Sequence, residues 1–169
     1  CRTDLVNGAR EIIVNWANVV DTQLATTVGN DHGATVSTVE HLVAALAGCE
    51  IDNVLIEVDG PEIPIMDGSA APFVFLIECA GTTEQSAHRK AIKILKPITV
   101  GDDTRSLSIL PSEEFSLDFE IDFDSSAIDR QERAFQRVGA NFKLDIARAR
   151  TFGFEQEVDA LRNAGLALG

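Results

Sequence analysis

Apolar and polar positions follow one another along this chain in two rhythms. Residues 1–34 carry short β-type runs, EIIVNWANVV and TQLATTV, separated by the turn-like stretches VNG and GNDHG. At Ser37 the rhythm becomes helical: Val39, Leu42, Val43, Ala45 and Leu46 form one broad apolar face. Ser37-x-x-Glu40 has the form of a capping box, and Gly48 is placed to end the helix. NVLIEV, 53–58, then reads as a strand with a largely buried face. DGPEIPIMDGSAAP, crowded with Pro and Gly, reads as a shaped loop in which Asp67, Gly68 and Ser69 make a turn and cap a second helix. That helix is short and buried, APFVFLIECA over 71–80, with Pro72 tolerated in its first turn.

GTTEQSAHRK, 81–90, is polar and turn-rich and reads as a linker. Three strands come after it in AIKILKPITV, RSLSILP and FSLDFEIDF. The last alternates Phe115, Leu117, Phe119, Ile121 and Phe123 with Ser116, Asp118, Glu120 and Asp122, which predicts one wet face and one packed face. From about 143 the pattern is helical, with KLDIARAR, a break at TFGF, and EQEVDALRNAG closing on Gly165. Strands come first and helices after in each half. That order predicts an α+β architecture of two units, 1–86 and 87–169, each a β-sheet with helices gathered on one face.

Composition adds limits. With 45% apolar residues, 169 residues suffice for a real core. Fourteen basic against 27 acidic side chains give a net charge of −13, which leaves no broad cationic face for a nucleic-acid backbone. A small anionic ligand remains compatible, because a few local cations and backbone N–H groups can hold one. No stretch approaches the roughly 20 apolar residues of a membrane span, and CRTDLVNGAR lacks the features of a signal peptide, so the expected compartment is the cytoplasm. Cys1, Cys49 and Cys79 are odd in number and form no C-x-x-C, arguing against a disulfide framework or a cysteine zinc site. They read as buried or incidental thiols. The opening on Cys and the ending GLALG give the expectation of a piece cut at both ends.

The chemical candidates centre on Glu40-His41. A glutamate three residues after a cap serine is a helix-start device in its own right. His41, one residue on, sits where the helix dipole disfavours a positive ring and favours the neutral imidazole that binds metals; a carboxylate beside a metal-bound water is a natural base. His32 in the GNDHG turn and His88 in the linker read as solvated loop residues. MDGSAAP lacks a nucleophile elbow, and FEIDFD has no calcium-loop spacing. In RARTFGF, 148–154, two arginines can complement a helix end, while Thr151 and Phe152 stand at a break where side chains often meet a ligand. No phosphate-binding glycine loop or dinucleotide fingerprint is present.

CRTDL, STVEHLVAALAG, IDNVLIEVDGPEIPIMDGSAAPFVF, FSLDFEIDF, ARARTFGF and the final GLALG together resemble, in order and spacing, the UDP-3-O-acyl-N-acetylglucosamine deacetylases of lipid A biosynthesis. The resemblance covers nearly the whole chain. It implies a zinc-dependent hydrolase that removes the acetyl group from the nitrogen of a UDP-linked, acylated glucosamine. Carried over residue by residue, His41 matches a zinc ligand and Glu40 the general base. Thr151 matches the threonine associated with the oxyanion, Phe152 a residue beside the substrate, and Ala25 a position lining the same cleft. The implied fold is two similar α+β units with their helices sandwiched between the two sheets, the site lying at the junction and the complete protein a monomer.

The chain departs from the family pattern in several places. The family's remaining zinc ligands, in a later His-Lys-x-x-Asp stretch, and a later catalytic histidine are outside this sequence, as are its amino-terminal strands with G-x-G-L-H. Ser125 and Ser126 stand where many relatives have His-Pro. The second unit is therefore expected to be incomplete, and the chain alone is expected to be inactive and prone to associate. The alternative is a short, non-catalytic relative acting as a binding or assembly module. Some members of the family carry a fused dehydratase domain, which this sequence neither supports nor excludes.

Overall fold

A computed structural model describes residues 1–163. The expected cap at Gly165 and the GLALG ending lie outside the described residues. By contact the chain divides into Cys1–Thr82 together with the chain from Phe142 onward, and Thr83–Asn141. The segment from Phe142, which the sequence order groups with the second unit, falls with the first in this division. Helices and small antiparallel sheets make the chain α+β.

The first unit holds a three-stranded antiparallel sheet, β1 (Val19–Asp21), β2 (Thr27–Gly29) and β3 (Thr35–Val36), in that order. The strand expected over EIIVNWANVV is mostly absent. Asn15 Oδ1 instead accepts the N–H groups of Ala17 and Asn18 at 2.8 and 3.1 Å, which folds Trp16–Asn18 into a 3-10 turn and leaves β1 only its end. The GNDHG turn joins β2 to β3 as expected. Asn30 Oδ1 accepts from His32 N and Ala34 N, both at 3.0 Å, and Gly33 supplies the positive φ of 80°.

Two helices come next, α1 (Glu40–Gly48) and α2 (Ala71–Ala80), and they pack on each other. Val28, Val36, Val39, Ala45, Ile63, Phe73 and Val74 are buried and form the core of this unit. NVLIEV is not a strand with a buried face: Val54 and Leu55 are exposed, and the pairing is a parallel bridge between Arg2 and Val58. Arg2, itself buried, fastens that bridge by donating to Asp4 at 2.6 and 2.7 Å and to the Thr35 carbonyl at 2.8 Å. Asp67 Oδ1 accepts from both Ser69 N and Ser69 Oγ, and Ser69 Oγ accepts Ala71 N at 3.2 Å, so the expected turn into α2 is present.

The second unit contains two antiparallel ribbons, β4 (Ile98–Gly101) with β5 (Ser106–Ile109), and β6 (Leu117–Asp122) with β7 (Arg130–Phe135), and then the single turn α3 (Val138–Asn141). AIKILK does not join β4, and Ile92 and Leu95 are exposed. The alternation in β6 does not give a packed face: Phe115 is 65% and Phe119 52% exposed. Phe119 instead meets Phe135 across the ribbon, ring edge to face at 6.3 Å. RQERAF carries no strand rhythm of its own, and β7 exists through its pairing with β6.

The chain then re-enters the first unit through a π-helical turn, Phe142–Ile146, and continues past Thr151 to α4 (Glu155–Asn163). The helical segment expected from 143 thus begins at Val138 and ends at Ile146, leaving Arg148 and Arg150 beyond it. Among the described residues, no helix is long and apolar enough to cross a membrane.

Candidate functional site

The site begins with where α1 starts. Ser37 does not cap it: the N-cap is Val39, with no side-chain cap bond, and the Ser37 hydroxyl is engaged with that of Thr27 at 2.8 Å. The capping-box reading of Ser37 and Glu40 is thereby corrected. Glu40 is the first helical residue, and its Oε2 accepts the backbone N–H of Thr26 at 3.0 Å. Thr26 also accepts the Val39 N–H on its carbonyl at 3.3 Å, so the start of β2 and the start of α1 hold each other in both directions. Ala25, half-buried, directly precedes this contact.

The half-buried His41 comes directly after Glu40 in the first turn of α1. The carboxylate beside it has one oxygen fixed by a backbone donor. Such an arrangement can hold a proton acceptor at the helix start in a set orientation.

Thr151 and Phe152 come to the unit on a strap. Phe142 lies over Gly48 at the end of α1, closely enough that a Cβ at Gly48 would collide with its ring. Next, Lys143 Nζ donates to Glu78 Oε1 near the end of α2 at 2.7 Å. The strap then reaches the other end of α2, where Arg150 approaches Asp67 at 3.5 Å and Thr151 N–H donates to the Gly68 carbonyl at 2.8 Å. Gly68, at φ 81°, takes a backbone shape that side chains disfavour, and a Cβ there would meet Thr151 Cγ2 at 3.5 Å. The Phe152 ring is 55% exposed and meets Phe154 edge to face at 6.0 Å.

Charge conforms to this geometry. The Ser69 hydroxyl bond, with its backbone N–H and the nearby Arg150, holds the Asp67 carboxyl below the usual carboxylate range. Burial, the largest influence, pushes the Cys49 thiol up, with Lys143 opposing and Glu78 adding to the rise. Cys49 is half-buried and Cys79 exposed, so of the two readings, buried or incidental, Cys79 takes the second.

The expected site residues thus stand in two groups within one unit: Ala25, Glu40 and His41 where β2 meets α1, and Thr151 and Phe152 where the strap meets the loop before α2. Sequence reasoning missed Thr26, Thr38, Glu62 and the Gly48–Phe142 seat. Only the two prolines around Glu62 signalled a fixed segment there. As to zinc, among the described residues, His41 included, no group of three or more His, Cys, Asp or Glu could hold a metal ion. The described donors do not by themselves fit a zinc site.

An α+β protein with a carboxylate–imidazole pair at a helix start is the class these observations define. The chain matches the UDP-3-O-acyl N-acetylglycosamine deacetylase family over residues 1–169 and belongs to it. It is 53% identical over 153 residues to a UDP-3-O-acyl-N-acetylglucosamine deacetylase of Syntrophotalea carbinolica, covering 90% of this chain and 49% of that relative. It is 49% identical to the protein of the same name from Acidithiobacillus ferrooxidans, covering 99% of this chain and 55% of the relative. The Saccharophagus degradans protein of that name is 51% identical, with the same coverage, 99% and 55%. The chain spans about half the length of the curated relatives it matches.

Proposed function

We propose that this chain is part of a zinc-dependent hydrolase that removes the N-acetyl group from UDP-3-O-acyl-N-acetylglucosamine in lipid A biosynthesis. The observation that carries the reading is the Thr26–Glu40 bond, which orients the carboxylate at the head of α1 next to His41. In amide hydrolysis water adds to the acetamide carbonyl, the C–N bond breaks, and acetate and a free amine result. Glu40 is suited to take the proton from the attacking water, since one of its oxygens is held by the backbone and the other is not engaged by that bond. Thr151, set at Gly68 by its backbone bond, is offered as the group near the developing oxyanion. Phe152 and Ala25 are offered as substrate contacts.

Zinc enters through the family. His41 would be one ligand, and no step is derived through the metal from the residues described. The complete protein is proposed to be a cytoplasmic monomer built of units corresponding to 1–86 and 87–169, with helices sandwiched between the two sheets.

The test is release of free amine from the UDP-linked substrate by the full-length protein, compared with its His41→Ala variant. Zinc-dependent turnover that His41→Ala abolishes supports the reading. A well-folded full-length protein that binds the nucleotide sugar without releasing amine would instead favour the non-catalytic module.

A further inference from the structure

The turn that leads into α1 is clamped from two sides, and one clamp ends on a carboxylate to which the hydrolytic chemistry gives no part. Thr38 stands at φ 58°, in the left-handed region that β-branched residues avoid. It is buried, and its hydroxyl donates to Oε1 of Glu62 across 2.7 Å. The backbone beside it is held by the same segment: Ser37 N–H donates to the Pro61 carbonyl at 2.8 Å, and Ile63 N–H to the Ser37 carbonyl at 3.0 Å. Pro61 and Pro64 restrict the segment on either side of Glu62. From the other side comes Thr26, which accepts from Val39 and donates to Glu40.

The left-handed residue is where the chain turns from pairing with 61–63 into helix. The direction in which Glu40 and His41 leave the turn therefore depends on Thr38 keeping a shape its backbone disfavours. Strained residues persist only where their surroundings hold them. Here the side-chain hold is the Glu62 carboxylate.

We propose that Glu62 is a positioning residue for the Glu40–His41 pair, acting through the Thr38 hydroxyl. The activity readout rests on the proposed deacetylase function; the structural readout does not. In the full-length protein, Glu62→Ala and Thr38→Val are each expected to lower kcat by between about tenfold and about 100-fold with KM little changed, as for a small misplacement of a reacting group. The double variant falls no further than the lower single one, because both remove the same bond. Glu62→Gln keeps an acceptor for Thr38 and recovers most of kcat. In parallel, the backbone amide signals of Glu40 and His41 in a proton–nitrogen correlation spectrum shift in Glu62→Ala and return in Glu62→Gln.

Unchanged kcat in Glu62→Ala, or a fall in kcat with those amide signals unmoved, overturns the proposal. Should the wild-type full-length protein release no amine, the deacetylase reading fails, and the amide signals alone then decide: shifted and rescued supports positioning, unmoved overturns it. If Glu62→Ala does not fold, Thr38→Ser against Thr38→Val makes the same comparison from the other end of the bond.

Discussion

The backbone N–H of Thr26 lies 3.0 Å from Oε2 of Glu40, so the acid at the head of α1 is fixed by the residue that leads into β2 and not by its own helix. Glutamine at position 40 offers a carbonyl oxygen to the same N–H and so keeps the local structure, but it cannot take a proton. In the full-length protein, Glu40→Gln is expected to lower turnover by about 10²–10⁴. The melting temperature should move by no more than about 2 °C. Retained turnover, measured as amine release, would remove Glu40 from the chemistry; a large fall in melting temperature with turnover intact would make it a structural residue only.

A second expectation concerns Gly48. An alanine near a helix end ordinarily gains up to about 1 kcal/mol over glycine. At Gly48 the added methyl would enter the Phe142 ring, and overpacking costs about 1–3 kcal/mol. Gly48→Ala should therefore destabilise the protein in urea titration, and should cost much less in a Phe142→Ala background, where the ring is gone. Stabilisation by Gly48→Ala in the wild-type background would show that Phe142 does not sit there.

These two residues show how far the sequence could be read. Gly48 is legible as a helix end because glycine commonly stands there, but its closeness to Phe142 depends on a ring 94 positions away and leaves no local trace. Glu40 and His41 were legible as a candidate pair, whereas Thr26 was not, since its part is played by a backbone N–H that every residue except proline carries. The capping box failed because the Ser37 hydroxyl had a better-placed partner in Thr27. The β6 rhythm correctly marked a strand, yet period alone does not say whether a second layer covers it, and Phe119 is half exposed. β7 was missed because RQERAF has no apolar alternation, and only the register of β6 makes it a strand.

The turn before α2 should weaken in acid. Ser69, through its hydroxyl first and its N–H after, lowers the Asp67 pKa, and Arg150 adds to the effect. The folded value is thus below the unfolded one, near the ordinary aspartate value of about 3.9. The contribution is present in full above that value and is lost as pH falls through the lowered folded value, because the unfolded chain then binds more protons. Denaturant midpoints taken between neutral and acidic pH should show a shallower acid-side loss in Asp67→Asn than in wild type, together with lower stability at neutral pH. Parallel acid limbs for the two proteins would contradict this.

The isolated chain is expected to associate, and salt decides how strongly. Phe115 at 65%, Val100 at 61%, Leu107 at 58% and Phe119 at 52% exposure leave the ribbons of the second unit with large apolar side chains in water. Paired only within each ribbon, β4 to β7 also keep outer edges able to accept another strand. A net charge of −13 opposes association at long range, and that repulsion is screened over about 8 Å at physiological ionic strength. Raising salt from low to physiological should therefore increase the sedimentation coefficient of the isolated chain and its binding of an apolar dye together, whereas association driven by ion pairs would weaken with salt. A monomer at both salt concentrations, without dye binding, would mean that these faces are closed in solution. The same preparation should show no deacetylase turnover when zinc is added, since among the described residues no set of three His, Cys, Asp or Glu could hold a metal ion.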